Sequence, residues 1–577
     1  MTYSVPIEAA QLLRKGILQN PLLTSNIPSD ASSIADYVTF TGNANPNIPI
    51  NWRFAESISA LKGLESLWIN ALLKAKYNQG PVKVEIDTDH ATLFVMSTLL
   101  IDVVDENGKA ANQHMSPIQR IVSIFPSPGS NFGQETPHRS AITNIYKTKD
   151  GRCYHVHGNH YLTLTKCMNA TPSSTALGLD PDREASSTAD AMSAIQERVQ
   201  QHTAADLDEL MNEKYRQAGT ICYSRDEYKA SEHGKANAHV GLYELNHVPN
   251  DAQKPGWWKA VSDTGVARPL AGLKVVDLCR VIAGPSISKG LAELGASVMR
   301  VTGPGVVDAY ALHADLNWGK WNCSVDLKTD EGKETLRKLI LEADVVLDGY
   351  RPGVMEKLGF GRDAVLELVK DRPFGLVYAR ENCYGWHGPW QHRSGWQQIS
   401  DANCGVSLEY GRATGHDEAV TPVFPNSDYC TGVMGVCGVI NALIERGNKG
   451  GSFFMDTALN YYSQWLVNSV GVYPPSVWED VWQRHNRLAF RHNDNMPATI
   501  PRMMKSLMLN SGAQLFQPRF FEIRYSGAVD RYFKVVRPVL SFGDKQVDLR
   551  FNVGTRSNGH DAARWPEDLR TEIVTSA

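Results

Sequence analysis

The chain has 577 residues, a formal net charge of −4 and a sequence pI near 6.5. This length leaves room for roughly two to four domains, and the balanced charge, without a long Lys/Arg run, argues against a nucleic-acid-binding protein. The nine cysteines are scattered singly, without a Cys-x-x-Cys pair, so neither a disulfide framework nor a zinc ribbon is predicted.

The sequence gives no signal for a membrane or for export. The longest uncharged apolar stretch, residues 429–444, is shorter than a bilayer span and contains three glycines. Residues 1–20 carry charges and lack the apolar core of a signal peptide. We therefore expect a cytoplasmic protein with neither a membrane nor a nucleic-acid partner.

The first 135 residues combine a predicted helix with a predicted strand. Residues 55–76 have helical periodicity, and residues 82–86 form a short apolar run. Residues 125–131 then concentrate Pro, Ser and Gly, which is typical of a linker or an exposed loop. We predict an α/β region over residues 1–135.

A β-hairpin opens the next region. Residues 145–158 place Lys149-Asp150-Gly151 at a turn, and the return strand alternates polar and apolar side chains. Residues 191–216 have helical periodicity. We predict an α+β region over residues 136–250 and, because prolines cluster there, a linker over residues 251–268.

The return strand of this hairpin carries possible metal ligands. Cys153, His155 and His157 occupy alternate positions and so lie on one face, with His160 three residues further on. A zinc site could use that arrangement. Because no matching ligand pair occurs elsewhere, we favour histidines packed on a sheet face and predict no metal.

An apolar run over residues 273–278, bounded by Gly272 and Gly284-Pro285, predicts a strand buried on both faces of a parallel sheet. A predicted helix over residues 287–295 and a second strand over residues 296–301 complete a βαβ unit. Ligands bind at the carboxyl ends of such strands. The residues predicted to border that crevice are Arg280, Val281, Ile282 and Ala283.

Asp428 precedes a predicted helix, ending at Gly447, in which Gly432, Gly435 and Gly438 recur every third residue. Such a stripe allows a partner backbone or a ligand to approach closely. We expect Asp428 at the helix N-terminus, where backbone N–H groups and the helix dipole favour its ionised form. On spacing alone, Asp428 is an ordinary N-cap.

Several motifs occur in a fixed order over the middle third of the chain. They are the run over residues 268–285, Asn317-Trp-Gly-Lys320, the Leu-Lys-x-x-x-Gly block over residues 324–332, the block over residues 343–353, Leu358-Gly359, and Tyr384-Gly-Trp-His-Gly-Pro-Trp390. Together they resemble the family III CoA-transferases of the CaiB/BaiF type.

The resemblance implies an α/β fold with a Rossmann-like parallel sheet and a smaller α+β domain. It places the large domain at residues 269–475, with residues 476–577 supplying C-terminal helices and returning strands. The usual family layout opens with the large domain, whereas here the small-domain-like hairpin comes first. Either two family-like halves are fused and the first has lost the opening strand signature, with residues 1–135 as its degenerate α/β region, or the hairpin likeness is accidental.

The resemblance also implies the chemistry. Asp428 matches the catalytic aspartate, which would form an acyl anhydride and then a CoA thioester, with an acyl-CoA and a carboxylic acid as substrates and no resident cofactor. CoA contacts are expected on loops after successive strands. The residues that match are Arg280, Val281, Ile282, Ala283, Arg300, Lys320, Tyr350 and Arg351. Family members form interlocked dimers, so we expect a homodimer or an internally fused pseudo-dimer.

Two alternatives remain open. Acyl-CoA racemases resemble this scaffold but carry Gly-His-Asp where this chain has Trp396 and Gln397, which disfavours α-proton transfer. His387 and His392 are the nearby histidines that could substitute. The second alternative is a catalytically inactive CoA-binding scaffold.

Overall fold

The computed structural model describes residues 3–125, 136–158, 170–180, 183–259, 261, 265–304, 310–543 and 546–569. Most of the predicted linker over residues 125–131, and His160, fall outside this set. One seven-stranded sheet forms the centre of the fold. Three further sheets of three strands each are built from the remaining strands.

The N-terminal region is dominated by one long helix. Its helices are α1 (Val5–Gln11), α2 (Ala31–Ile34), α3 (Phe54–Tyr77), α4 (Thr88–Phe94), α5 (Ser97–Leu100) and α6 (Pro117–Ile124), and its strands are β1 (Val38–Thr41), β2 (Val84–Asp87) and β3 (Asp102–Val104). The helix predicted over residues 55–76 is confirmed by α3. The strand predicted over residues 82–86 is β2, which pairs in parallel with β1.

The next region contains the predicted hairpin. It comprises α7 (Pro137–Ala141), β4 (Thr143–Lys147), β5 (Cys153–His157), α8 (Ala170–Ala176), α9 (Thr188–Val199), α10 (Ala204–Asp208), β6 (Ala218–Ile221), α11 (Arg225–Ala230), α12 (Glu232–Asn237) and β7 (Tyr243–Val248). The antiparallel β4–β5 pair confirms the hairpin. The periodic segment over residues 191–216 is divided among α9, α10 and a π-helical stretch, Glu209–Lys214.

The large region follows β7. Its elements are β8 (Lys274–Leu278), α13 (Ala283–Glu293), β9 (Ser297–Thr302), α14 (Tyr310–Leu316), β10 (Lys320–Ser324), α15 (Asp330–Glu342), β11 (Val345–Asp348), α16 (Val354–Leu358), α17 (Arg362–Val369), β12 (Val377–Asn382), α18 (Gln397–Asn403), α19 (Val406–Ala413), α20 (Asn426–Lys449), β13 (Ser452–Ala458) and α21 (Leu459–Trp465). The predicted βαβ unit is confirmed by β8, α13 and β9.

The order of strands in the main sheet is β10-β9-β8-β11-β12-β13-β7. Six strands run parallel, and β7 pairs antiparallel to β13 at one edge. The boundary predicted at residue 250 is therefore wrong for this strand, because β7 hydrogen-bonds into the large sheet although it precedes the linker in sequence.

The C-terminal region packs against the N-terminal region. It contains α22 (Pro475–Arg484), α23 (Met496–Asn510), α24 (Gly512–Leu515), β14 (Phe521–Ser526), β15 (Arg531–Val536) and β16 (Ser541–Phe542). Strand β15 pairs with β3 and β16 pairs with β2. The returning strands thus complete N-terminal sheets, while Val553 and Trp565 pack in the core of the large region.

Helix α20 lies in the centre of the molecule. Among the described residues it is the one helix long and apolar enough to cross a bilayer, but 94% of its apolar window is buried. That burial is typical of a core helix. A Cβ on Gly432 would lie 2.5 Å from Ser286 Cβ in α13, so the glycine stripe lets α13 and α20 pack closely.

Candidate active site

A cavity of about 420 Å³ opens at the carboxyl ends of β8, β11 and β12. Parallel α/β sheets bind ligands at this edge. Its lining residues are Pro172, Gln217, Arg280, Val281, Ile282, Ala283, Gly284, Pro285, Gly349, Tyr350, Arg351, Pro352, Val354, Glu381, Asn382, Cys383, Arg393, Ser394, Gly395, Trp396, Asp428 and Leu459. Seven of the nine predicted site residues are brought together here.

The loop after β8 is held in an unusual conformation. Val281 has a φ of +46°, a region that β-branched residues rarely occupy. Such strain persists only where the surrounding structure imposes it, and it clusters at functional sites. The predicted crevice residues 280–283 thus form a turn that lines the cavity, with a strained backbone at Val281.

Arg300 and Lys320 do not line this cavity. Both are fully buried within strands, so their predicted placement on loops is wrong. Lys320 Nζ lies 3.1 Å from Asp277 Oδ2 and donates to the carbonyl of Pro285 at 2.9 Å. Lys320 therefore links the end of β8 to the start of α13 and stabilises the turn between them without reaching the cavity. Arg300 contacts Asn322 and Asn558 instead of the crevice.

Tyr350 and Arg351 do reach the cavity, on the loop after β11. The Tyr350 backbone N–H donates to Asp348 Oδ1 at 3.0 Å, which fixes the start of that loop. Arg351 is exposed, and a guanidinium suits an anionic group such as a phosphate. Arg280 and Arg351 line the cavity from neighbouring loops, and Arg393, a third arginine of the lining, pairs with Asp208 and Glu213.

Asp428 lies in the first turn of α20, three residues after the N-cap residue Pro425. It is therefore not the N-cap. Burial, with the charge of Asp401 as a second cause, raises the pKa of Asp428 to about 8. The raised pKa runs against the expectation that the helix terminus favours the ionised form, because removing a carboxylate from water destabilises its charge.

Three further carboxyl groups at this edge of the sheet or beside Asp428 were not predicted from the sequence. Burial raises the pKa of Glu381 and of Asp401 to about 8 and that of Asp348 to about 7. Glu381 lines the cavity at the end of β12, and Asp401 accepts a hydrogen bond from Gln397 Nε2. Glu381 could have been predicted, because it lies at the carboxyl end of β12 and ligands bind at the carboxyl ends of all parallel strands in such a sheet.

A second, smaller cavity of about 50 Å³ adjoins Asp428. It shares Val281, Ile282, Trp396 and Asp428 with the larger one. Its other lining residues are Thr98, Leu99, His157, Leu312, Gln397, Gln398, Val423, Pro425, Met496 and Ile500. The N-terminal and C-terminal regions thus both contribute walls beside Asp428.

The remaining histidines fall into separate groups. His387 Nε2 lies 2.7 Å from Glu244 and His392 Nε2 lies 3.0 Å from Glu213, and neither lines these cavities. On the hairpin, the rings of His155 and His157 pack against each other, and His157 stacks on Trp396. In the described part of the chain, the group of three side chains spaced to hold a metal is instead His239, Glu244 and His387.

Comparison with known proteins defines the class. Residues 270–491 match CoA-transferase family III. The chain is 49% identical over 575 residues to an acetyl-coenzyme A transferase of Hypoxylon pulicicidum, covering 99% of this chain and 95% of that protein. It is 30% identical over 470 residues to an acyl-CoA transferase of Gibberella moniliformis, covering 81% and 79%.

A CAIB/BAIF family protein from Brucella suis is a similar solved structure, with 20% identity, a TM-score of 0.38, and coverage of 51% of this chain and 97% of that one. On the two relatives matched along most of their length, the chain belongs to CoA-transferase family III and is a CoA-transferase.

Proposed function

We propose that the enzyme moves CoA from an acyl-CoA to a carboxylic acid through covalent intermediates on Asp428. The observation that carries the proposal is the position of Asp428, which borders both cavities at the carboxyl edge of the sheet. A thioester has two substituents on its carbonyl carbon, and a nucleophile at this junction faces a separate space for each.

The reaction begins when the Asp428 carboxylate attacks the thioester carbonyl and the C–S bond breaks, giving an acyl anhydride and the CoA thiolate. The thiolate then attacks Cγ of Asp428 and releases the donor acid, which leaves an aspartyl-CoA thioester. The acceptor carboxylate attacks that thioester and expels the thiolate. Finally, the thiolate attacks the new acyl carbonyl, forming the product thioester and regenerating Asp428.

The first step needs an ionised Asp428, although burial raises its pKa to about 8. Burial raises the pKa of Glu381 and of Asp401 to about 8 as well, so below that pH both neighbours are mostly protonated and add little negative charge around Asp428. A buried carboxylate is also poorly hydrated, so little water must be removed before it attacks. Ionisation is thus costly here, while the ionised form is reactive.

The loops after β8 and β11 supply contacts for CoA. Arg280 and Arg351 line the larger cavity, and guanidinium groups pair well with phosphates. Tyr350 lies beside Arg351 and offers an aromatic face to the CoA chain. Because the 49% identical relative is called an acetyl-coenzyme A transferase, acetyl-CoA is the first donor to test.

A covalent trap tests the mechanism. The purified chain is incubated with acetyl-CoA and hydroxylamine, and the tryptic peptide that contains Asp428 is analysed by mass spectrometry. A hydroxamate on Asp428, absent from Asp428→Ala, is the expected result. Asp363→Asn is the matched control, because that side chain is 88% exposed. Absence of any adduct with a range of thioesters, in a protein that still binds CoA, would point to an inactive scaffold.

One structural feature favours the racemase alternative. His157 lines the smaller cavity together with Asp428, and a histidine with an aspartate is the pair that α-proton transfer would use. Exchange of the α-hydrogen of 2-methylacyl-CoA in deuterated water, lost in His157→Gln and without a hydroxamate on Asp428, would favour racemisation over transfer.

The active site is also proposed to be complete within one chain. Pro172 and Gln217 line the larger cavity, and Thr98 and Leu99 line the smaller one, so segments outside residues 270–491 contribute walls. Specific activity is therefore expected to stay constant on serial dilution. A fall in specific activity that follows dimer dissociation in sedimentation would contradict this.

A further inference from the structure

We infer that the smaller cavity binds the acyl group of the donor thioester and that its walls restrict the enzyme to short acyl chains. The inference rests on the proposed function, because it places the thioester carbonyl at Asp428. It adds the substrate size class and the residues that set it.

The two cavities divide a thioester between them. Only the larger, about 420 Å³, has room for the CoA arm, and its lining includes Arg280 and Arg351, whose guanidinium groups suit phosphates. With CoA on that side, the acyl chain extends from the carbonyl carbon into the smaller cavity. Val281, Ile282 and Trp396 border both cavities and so form the passage between them.

The size of the smaller cavity limits the acyl chain. On this scale a single water occupies about 10–15 Å³, so a cavity of about 50 Å³ holds roughly three to five non-hydrogen atoms. That range corresponds to acetyl, propionyl and butyryl groups. Most of the wall is apolar, formed by Leu99, Leu312, Val423, Pro425, Met496 and Ile500, which suits an alkyl group without charge.

The far walls come from outside the segment matched by the family. Leu99 belongs to α5, while Met496 and Ile500 are four residues apart on α23 and hence lie on one face of that helix. Residues 270–491 contain none of these three side chains. The length limit is therefore a property that the N-terminal and C-terminal regions give to the shared catalytic core.

A chain-length series tests the inference. Hydroxamate formation is measured with acetyl-, butyryl-, hexanoyl- and octanoyl-CoA, so that no acceptor acid need be known. For the natural chain, kcat/KM is expected to fall at least tenfold from butyryl- to hexanoyl-CoA. In Ile500→Ala and in Met496→Ala, the ratio of kcat/KM for hexanoyl-CoA to that for acetyl-CoA is expected to rise at least tenfold.

Met508→Ala is the matched control, because Met508 lies on the same helix with 67% of its surface exposed, and its ratio should not change. Equal use of octanoyl- and acetyl-CoA by the natural chain would overturn the inference, as would unchanged ratios in both active variants. A hydroxamate from no donor at all would instead contradict the proposed function, on which the inference rests.

Discussion

Glu381 and Asp428 line the same cavity, and the charge of Asp428 adds to burial in raising the pKa of Glu381 to about 8. Two carboxyl groups that interact in this way titrate as a unit, so their protons are lost in steps that belong to the pair. Asp401 extends the coupling, since its charge raises the pKa of Asp428. The site therefore holds several protons at neutral pH and releases them above it.

The rate of the first chemical step should follow this titration. Because ionised Asp428 is the nucleophile and burial raises its pKa to about 8, kcat/KM for acetyl-CoA is expected to rise from pH 6 and to level off only near pH 9. In Asp401→Asn, which removes a raising charge but keeps an oxygen for Gln397, the plateau should begin at lower pH. A profile that is flat from pH 6 to pH 9 would contradict this.

The free energy of unfolding should also depend on the titration of Asp428, but it should fall with rising pH, whereas the rate rises. The pKa of Asp428 is raised from 3.8 to about 8, so the folded state holds a proton that the unfolded chain has lost, and stability falls as pH rises from about 4 to 8. Asp428→Asn removes this cost. Its Tm should exceed that of the natural chain by at least about 2 °C at pH 8.5 and match it near pH 4.

Asp363→Asn is the control for this pH series, because the exposed Asp363 side chain should give no pH-dependent difference. A Tm difference for Asp428→Asn that stays constant with pH would mean that Asp428 titrates normally.

Arg351 should affect binding more than turnover. Its exposed guanidinium lies at the mouth of the larger cavity, and a charge-assisted hydrogen bond contributes about 1.5–3 kcal/mol, which is roughly a tenfold to hundredfold effect. Arg351→Ala is therefore expected to raise KM for acetyl-CoA by at least about tenfold with kcat nearly unchanged. Arg412→Ala, which removes an exposed arginine paired with Asp417, is the control.

Arg351 and Lys320 show what the sequence could and could not predict. Motif spacing located both, and the parallel-sheet rule identified the crevice over residues 280–283. Spacing does not distinguish a residue at the exit of a strand from one within it, however, and Lys320 begins β10 and points to Asp277. The raised pKa of Asp428 is equally absent from the local sequence, because the burial of α20 depends on α13 and α18, which precede it in the chain.

Gly432 affects both the packing of α20 against α13 and the position of Asp428. It lies one turn after Asp428 in α20 and faces Ser286 in the first turn of α13, the helix that follows the residues 280–283 turn. An added Cβ would lie 2.5 Å from Ser286 Cβ, which sits next to the backbone and cannot rotate away. Gly432→Ala must therefore separate the two helices.

The expected result for Gly432→Ala is a loss of about 1–3 kcal/mol in the free energy of unfolding, after the gain of about 1 kcal/mol in helix propensity has been offset. The same displacement moves Asp428 relative to Val281, so kcat/KM should fall with it. Urea denaturation and acetyl-CoA kinetics measure the two effects. Gly80→Ala is the control, because a Cβ there meets nothing within 4 Å; equal stability of the two variants would show that the helices adjust without cost.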